Sequence, residues 1–259
     1  MMTKRNTCRG KILLFLVAVI VLAGFLPGFA EDQDIEQCLE QVGKAAMQGD
    51  ADAQYAIGFA YEYGGTGQVV NWRNTSQRSQ HYLGRIFYEN CLDVPENRLK
   101  AKRWYLKAAK QGHVTAQVAL ATLYRWPRVS NGDKEAAKWY RKAAEQGDAT
   151  AQYHLGRMYA KGEGVTENYK ESVVWLSRAA NQGNAEAQLG LGYMYETGRG
   201  IPKDNVKAYA WMVLAAAQGV KEAFTSKDLL RLRMSPEQVT TAQDLATELR
   251  ERIEASKSD

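Results

Sequence analysis

Small and apolar residues recur along most of this chain at a helical spacing, and the pattern repeats itself. Trp104, Trp139, Trp175 and Trp211 stand 35, 36 and 36 residues apart, and Gly112, Gly147, Gly183 and Gly219 follow them at the same step. Each tryptophan has a small residue three positions before it (Ala101, Ala136, Ser172, Ala208) and an alanine four positions after it (Ala108, Ala143, Ala179, Ala215). Positions i−3, i and i+4 share one face of a helix, so the pattern predicts a helix whose tryptophan lies in a stripe of small side chains. The indole supplies the apolar area and its small neighbours admit another helix closely. The glycine eight residues after the tryptophan suits a left-handed helix stop.

A second helical pattern precedes this one in every unit. Asp50, Asp148 and Asn184 are N-cap candidates, and Ala53-Gln54, Ala116-Gln117, Ala151-Gln152 and Ala187-Gln188 follow at one register. Gly58, Gly156 and Gly192 fall inside this first helix, where glycine costs roughly 1 kcal/mol against alanine, so their recurrence predicts close helix–helix contact. Two units then carry a Gly-x-Gly turn, Gly162/Gly164 and Gly198/Gly200. A two-helix unit of this size cannot bury its apolar face alone; stacked units make a continuous core.

The stretch Leu155-Gly156-x-Met158-Tyr159-x-x-Gly162-x-Gly164-Val165, with Trp175-x-x-x-Ala179-Ala180-x-Gln182-Gly183, resembles the Sel1-like repeat, a relative of the tetratricopeptide repeat. The resemblance runs from about Lys44 to Ala223. It implies an all-α fold, a right-handed α/α solenoid, serving as a protein-interaction scaffold or adaptor, in bacteria often in the envelope or outside the cell. Some cysteine-rich bacterial members have been described as β-lactamase-like, with a periodic cysteine pair in each repeat. Here only Cys38 and Cys91 follow the N-terminal segment, without periodicity, which weakens that reading.

Taken in order, residues 1–30 read as a secretory signal. Lys4, Arg5, Arg9 and Lys11 precede an apolar run from Ile12 to Leu26, and Gly28-Phe29-Ala30 offers small residues for cleavage before Glu31. The run is shorter than the roughly 20 residues of a membrane span, so the mature chain is expected not to cross a membrane. Residues 31–48 are expected to form an N-terminal capping helix in which Gln41 replaces the tryptophan, and residues 49–219 four repeats. The first repeat carries an insertion near 66–94: Gly49 to Gly112 spans 63 residues. That insertion either presents a binding surface or packs over the first unit. Arg125-Trp126-Pro127-Arg128 replaces the glycine turn in the second unit, with Trp126 read as a local plug. Residues 220–259 are expected to be C-terminal capping helices. The last begins at Ser235-Pro236-Glu237-Gln238, with an apolar stripe of Val239, Ala242, Leu245 or Ala246, Leu249 and Ile253.

Charge adds little. The net +5 of the chain falls to +1 without residues 1–30, because 30 basic residues then face 29 acidic ones, so no nucleic-acid partner is expected. His81, His113 and His154 occupy different positions of the unit, and no metal-ligand spacing, nucleophile elbow or Ser-x-x-Lys pair occurs, so no enzyme activity, metal or cofactor is expected.

Candidate contact residues emerge from comparing the units. Most first-helix positions repeat, but Ala56, Ala119, His154 and Gly190 differ, as do Phe59, Thr122, Arg157 and Tyr193 three residues on. These positions share a face. With Tyr55 and Tyr153 beside them, Phe59, His154, Arg157 and Tyr193 are the candidate partner-binding residues of a concave face, on a chain expected to be monomeric. The partner is a protein or, alternatively, a cell-wall glycan or exopolysaccharide; a strip free to vary because it is solvated fits the same pattern. Export would favour a Cys38–Cys91 disulfide, worth on the order of 4 kcal/mol by loop closure; two buried free thiols are the alternative.

Overall fold

The computed structural model describes residues 42–63, 79, 98–125 and 131–256. Residues 1–30 with the expected signal, Cys38, Cys91, Trp126 and the 66–94 stretch apart from Ser79 lie outside the described residues. Helices pair along the chain: α1 (Ala51–Tyr63) with α2 (Arg98–Lys110), α3 (Val114–Arg125) with α4 (Gly132–Glu145), α5 (Ala149–Lys161) with α6 (Tyr169–Asn181), and α7 (Ala185–Thr197) with α8 (Asn205–Ala217). Each pair packs on the next, and α9 (Lys221–Arg231) and α10 (Pro236–Ala255) both lie against α8. This is the α/α solenoid that the periodicity predicts. No helix among the described residues is long and apolar enough to cross a membrane.

The alanine columns form the seams. Ala53, Ala116, Ala151, Ala187 and Ala223 in the first helices, and Ala108, Ala143, Ala179 and Ala215 in the second, are all fully buried. The mid-helix glycines mark the closest approaches. A Cβ on Gly58 would lie 2.6 Å from the Tyr105 ring, one on Gly156 2.9 Å from Leu176, and one on Gly192 2.9 Å from Met212. In each case the residue after the tryptophan of the second helix fills the space over the glycine.

The Gly-x-Gly turn has two separate jobs. Gly162 and Gly198 close α5 and α7 in the left-handed conformation, with φ of 67° and 72°. Gly164 and Gly200 then pass across the start of the preceding unit's second helix. A Cβ on Gly164 would lie 2.2 Å from the Asp133 carbonyl oxygen, and one on Gly200 2.3 Å from that of Tyr169. Asn168 and Asp204 cap the next helices with their side chains, and their N–H groups donate to the Tyr159 and Tyr195 carbonyls.

The repeated glutamines hold a hydrogen-bond ladder inside the stack. Gln54, Gln117, Gln152 and Gln188 are at most 4% exposed. Their Nε2 groups donate to the carbonyls of Ala46, Ala109, Ala144 and Ala180, in the last turn of the helix before, at 2.9 to 3.3 Å. Each of these carbonyls also accepts the N–H of the glycine three residues on, so the glutamine is its second donor. Each Oε1 in turn accepts from the glutamine that ends the unit's second helix: Gln111, Gln146, Gln182 and Gln218 at 2.8 to 2.9 Å. Asp50, Asp148 and Asn184 cap the first helices as predicted; in the second unit the ring Nδ1 of His113 accepts the Ala116 N–H instead.

A basic side chain covers three of the tryptophans. Lys107, Lys142 and Arg178 lie over the rings of Trp104, Trp139 and Trp175 at 4.0, 4.4 and 4.7 Å, each three residues after its tryptophan. The fourth unit has Leu214 there. Trp211 and Leu214 instead join Ala246, Leu249 and Ile253 of α10 in one buried cluster. The capping box expected at Ser235 and Gln238 starts that helix.

Candidate functional site

The proposed strip divides when its side chains are placed. Tyr55 and Phe59 are 3% and 5% exposed, so they are core residues of the first unit and not contact points. Tyr55 packs on Phe59, Tyr105 and the His113 ring, and the first unit is the one in which both positions are aromatic. Tyr153, His154, Arg157 and Tyr193 remain half-buried on α5 and α7. The Tyr193 hydroxyl reaches the next first helix, 2.6 Å from Ser226 Oγ, and donates to Glu222 at 3.0 Å.

His154 and Arg157 sit in a small basic cluster with residues that the unit comparison did not single out. The His154 ring stacks on Tyr140 at 4.8 Å between centroids, and the Tyr140 hydroxyl is 3.0 Å from Thr122 Oγ1. Arg125 is held by Glu163 at 2.7 Å and Asp133 at 3.4 Å. Arg157 forms no ion pair with a described carboxylate, and its Nε and the His154 Nδ1 are buried without a hydrogen-bond partner. Its guanidinium lies 5.9 Å from the Tyr153 ring. Arg125 and Tyr140 escape a comparison confined to first-helix variability, because one ends its helix and the other belongs to the second helix.

Burial, with the charges of Arg157 and Arg125, lowers the His154 pKa to about 4. Burial also lowers that of His113, against the pull of Asp52, and a proton on His113 Nδ1 would abolish its helix cap. A folded-state pKa below the unfolded value means that the unfolded chain binds more protons. Stability is therefore complete above about pH 6.5 and lost as pH falls towards 4. His154 accounts for on the order of 2 kcal/mol of that loss after allowance for its partial exposure. Chemical unfolding between pH 7 and 4 measures it, and His154→Gln is expected to flatten the dependence.

Ser79, His113 and Asp52 also meet. Ser79 Oγ donates to Asp52 Oδ1 at 2.6 Å, and His113 Nε2 is 3.1 Å from Ser79 Oγ and 3.3 Å from Asp52 Oδ1. The residue types are those of a hydrolase triad, but the protons are misplaced. Nδ1 accepts the Ala116 N–H, so the neutral ring carries its proton on Nε2 and cannot take one from serine. Ser79 is fully buried, and the cluster ties its side chain to the starts of α1 and α3. A depression of about 470 Å³ lined by Arg141, Tyr159, Val165, Thr166, Glu167, Asn168 and Glu171 is occupied by fold contacts: Arg141 donates to the Tyr159 hydroxyl, and Asn168 caps α6.

The repeat geometry has a counterpart among known families. The Sel1 repeat profile matches residues 51–71, 77–113, 114–148, 149–184 and 185–220. The chain belongs to the Sel1 repeat family. The last three Sel1 windows coincide with α3–α4, α5–α6 and α7–α8, and the first two cover the α1–α2 unit with the stretch between its helices. A crystal structure of c5321, a protective antigen present in uropathogenic Escherichia coli strains displaying an SLR fold, is similar at 29% identity with a TM-score of 0.62, over 82% of this chain and 48% of that one. A Sel1 repeat protein from Oxalobacter formigenes is similar at 34% identity with a TM-score of 0.54, over 68% of this chain and 62% of that one. The chain thus spans about half to three-fifths of the length of these structures. No curated protein matches it. Sel1 repeats are in general protein-interaction scaffolds.

Proposed function

We propose that this Sel1 repeat protein is an exported bacterial adaptor that holds a protein partner against its first-helix face, around Tyr153, His154, Arg157 and Tyr193. One observation carries the reading. The recurring first-helix alanines, glutamines and glycines are consumed by seams, ladder and close approaches, whereas non-recurring His154 and Arg157 leave buried polar atoms unpartnered. In the described first helices these are the two residues with such atoms; in the second helices Ser172, Trp175 and Asn205 have them too. The tripartite pattern of residues 1–30 and the two bacterial structures support export from a bacterium.

The test is capture from an envelope extract beside a thermal-shift measurement with soluble wall fragments. An adaptor retains a protein in stoichiometric amount and is not stabilised by the fragments. A raised midpoint with fragments and no retained protein would replace this reading with glycan binding.

A further inference from the structure

We infer that Arg157 and the gap beside it at Gly190 receive an acidic side chain of the partner, between the first helices α5 and α7; the inference rests on the protein-interaction reading above. Gly190 is a glycine that the fold does not require. Gly58, Gly156 and Gly192 sit under large side chains within 2.9 Å of where a Cβ would be. At Gly190 the nearest atoms to such a Cβ are the two methyl ends of Leu176, both at 3.4 Å, and the backbone is not in the left-handed region. Alanine fits there and is the better helix former. The equivalent positions hold Ala56, Ala119, His154 and, in α9, Ser226.

The register shows what this glycine leaves open. Tyr193 meets Ser226, thirty-three residues on. The same step from Arg157 reaches Gly190, where no side chain stands. Arg157 is half-buried, unpaired with any described carboxylate, and by register stands opposite a residue without a side chain in the next unit. A guanidinium partly out of water and without a counter-charge is unfavourable until a carboxylate supplies one, and its planar fork suits that group. Neighbouring Arg125 is already neutralised by Glu163 and Asp133, so the site offers one uncompensated cation. The net charge beyond residue 30 is only +1, which favours a single carboxylate over a polyanion.

The experiment selects displayed random dodecapeptides on the chain and on its Arg157→Gln variant. The wild type is expected to enrich peptides with Asp or Glu at one fixed position, and the variant is not. The best peptide should bind Arg157→Gln at least tenfold more weakly, and its amide counterpart should lose the same factor on the wild type but little more on the variant. Gly190→Glu should place a carboxylate in the gap from within the chain. It is expected to abolish peptide binding while the thermal midpoint holds or rises. Peptides that are enriched without an acidic position, or that bind Arg157→Gln equally well, overturn this inference and leave the scaffold reading standing. If no peptide is enriched at all, both fall.

Discussion

Gly200→Ala is expected to destabilise the fold by about 4 kcal/mol, more than a change of one methyl group ordinarily does. Two costs add. The residue has a φ of 72°, where a Cβ costs roughly 1–2 kcal/mol. The added carbon would also lie 2.3 Å from the Tyr169 carbonyl oxygen and 2.4 Å from its carbon. Both are backbone atoms at the start of α6, so relief requires two units to move apart. Gly219→Ala separates the two terms: its φ is 88°, but nothing lies within 4 Å of its Cβ position. Urea unfolding of both variants should show Gly200→Ala losing at least twice as much. Equal losses would mean that the turn yields to the preceding helix at little cost.

Gln152→Leu is expected to cost about 2 kcal/mol although leucine matches its volume and suits burial. The substitution removes two hydrogen bonds: the one that Gln152 Nε2 donates to the Ala144 carbonyl at 3.1 Å, leaving that oxygen its backbone donor Gly147 N–H, and the acceptor for Gln182. Gln182 is exposed, so its amide finds water after either change, and only Gln152→Leu also breaks the buried bond to Ala144. Gln182→Ala should therefore cost less than half as much. Denaturant unfolding that ranked the two variants equally would show that the ladder holds through its outer rungs.

The architecture was legible because stacking imposes the same requirements at each unit. Trp139, Trp175 and Trp211 are buried as their alanine stripes imply, and Gly58, Gly156 and Gly192 mark true close approaches. The glutamines were visible as a recurring pair with alanine, but their hydrogen bonds were not, since Gln152 and Gln182 are thirty residues apart and the acceptor in Ala144 is backbone. Variability between units selected side chains of two kinds. His154 and Arg157, which it singled out, keep half-buried side chains with unpartnered atoms. It failed at Tyr55 and Phe59 because the first unit packs its own aromatics against Tyr105 and His113. His113 as a helix cap has no signature in side-chain type, because a ring nitrogen does there what Asp and Asn do elsewhere.

Leu214 sets a rule for altering the length of the array. A lysine or arginine three residues after the tryptophan leaves that flank of a unit compatible with water, whereas leucine there demands a covering helix, here α10. An engineered chain with an additional 36-residue module ahead of α8 should therefore keep Leu214 in its final module and carry a basic residue at the corresponding site of the inserted one. Transferring the leucine to an interior module would create an adhesive flank there, and the longer chain would associate with itself.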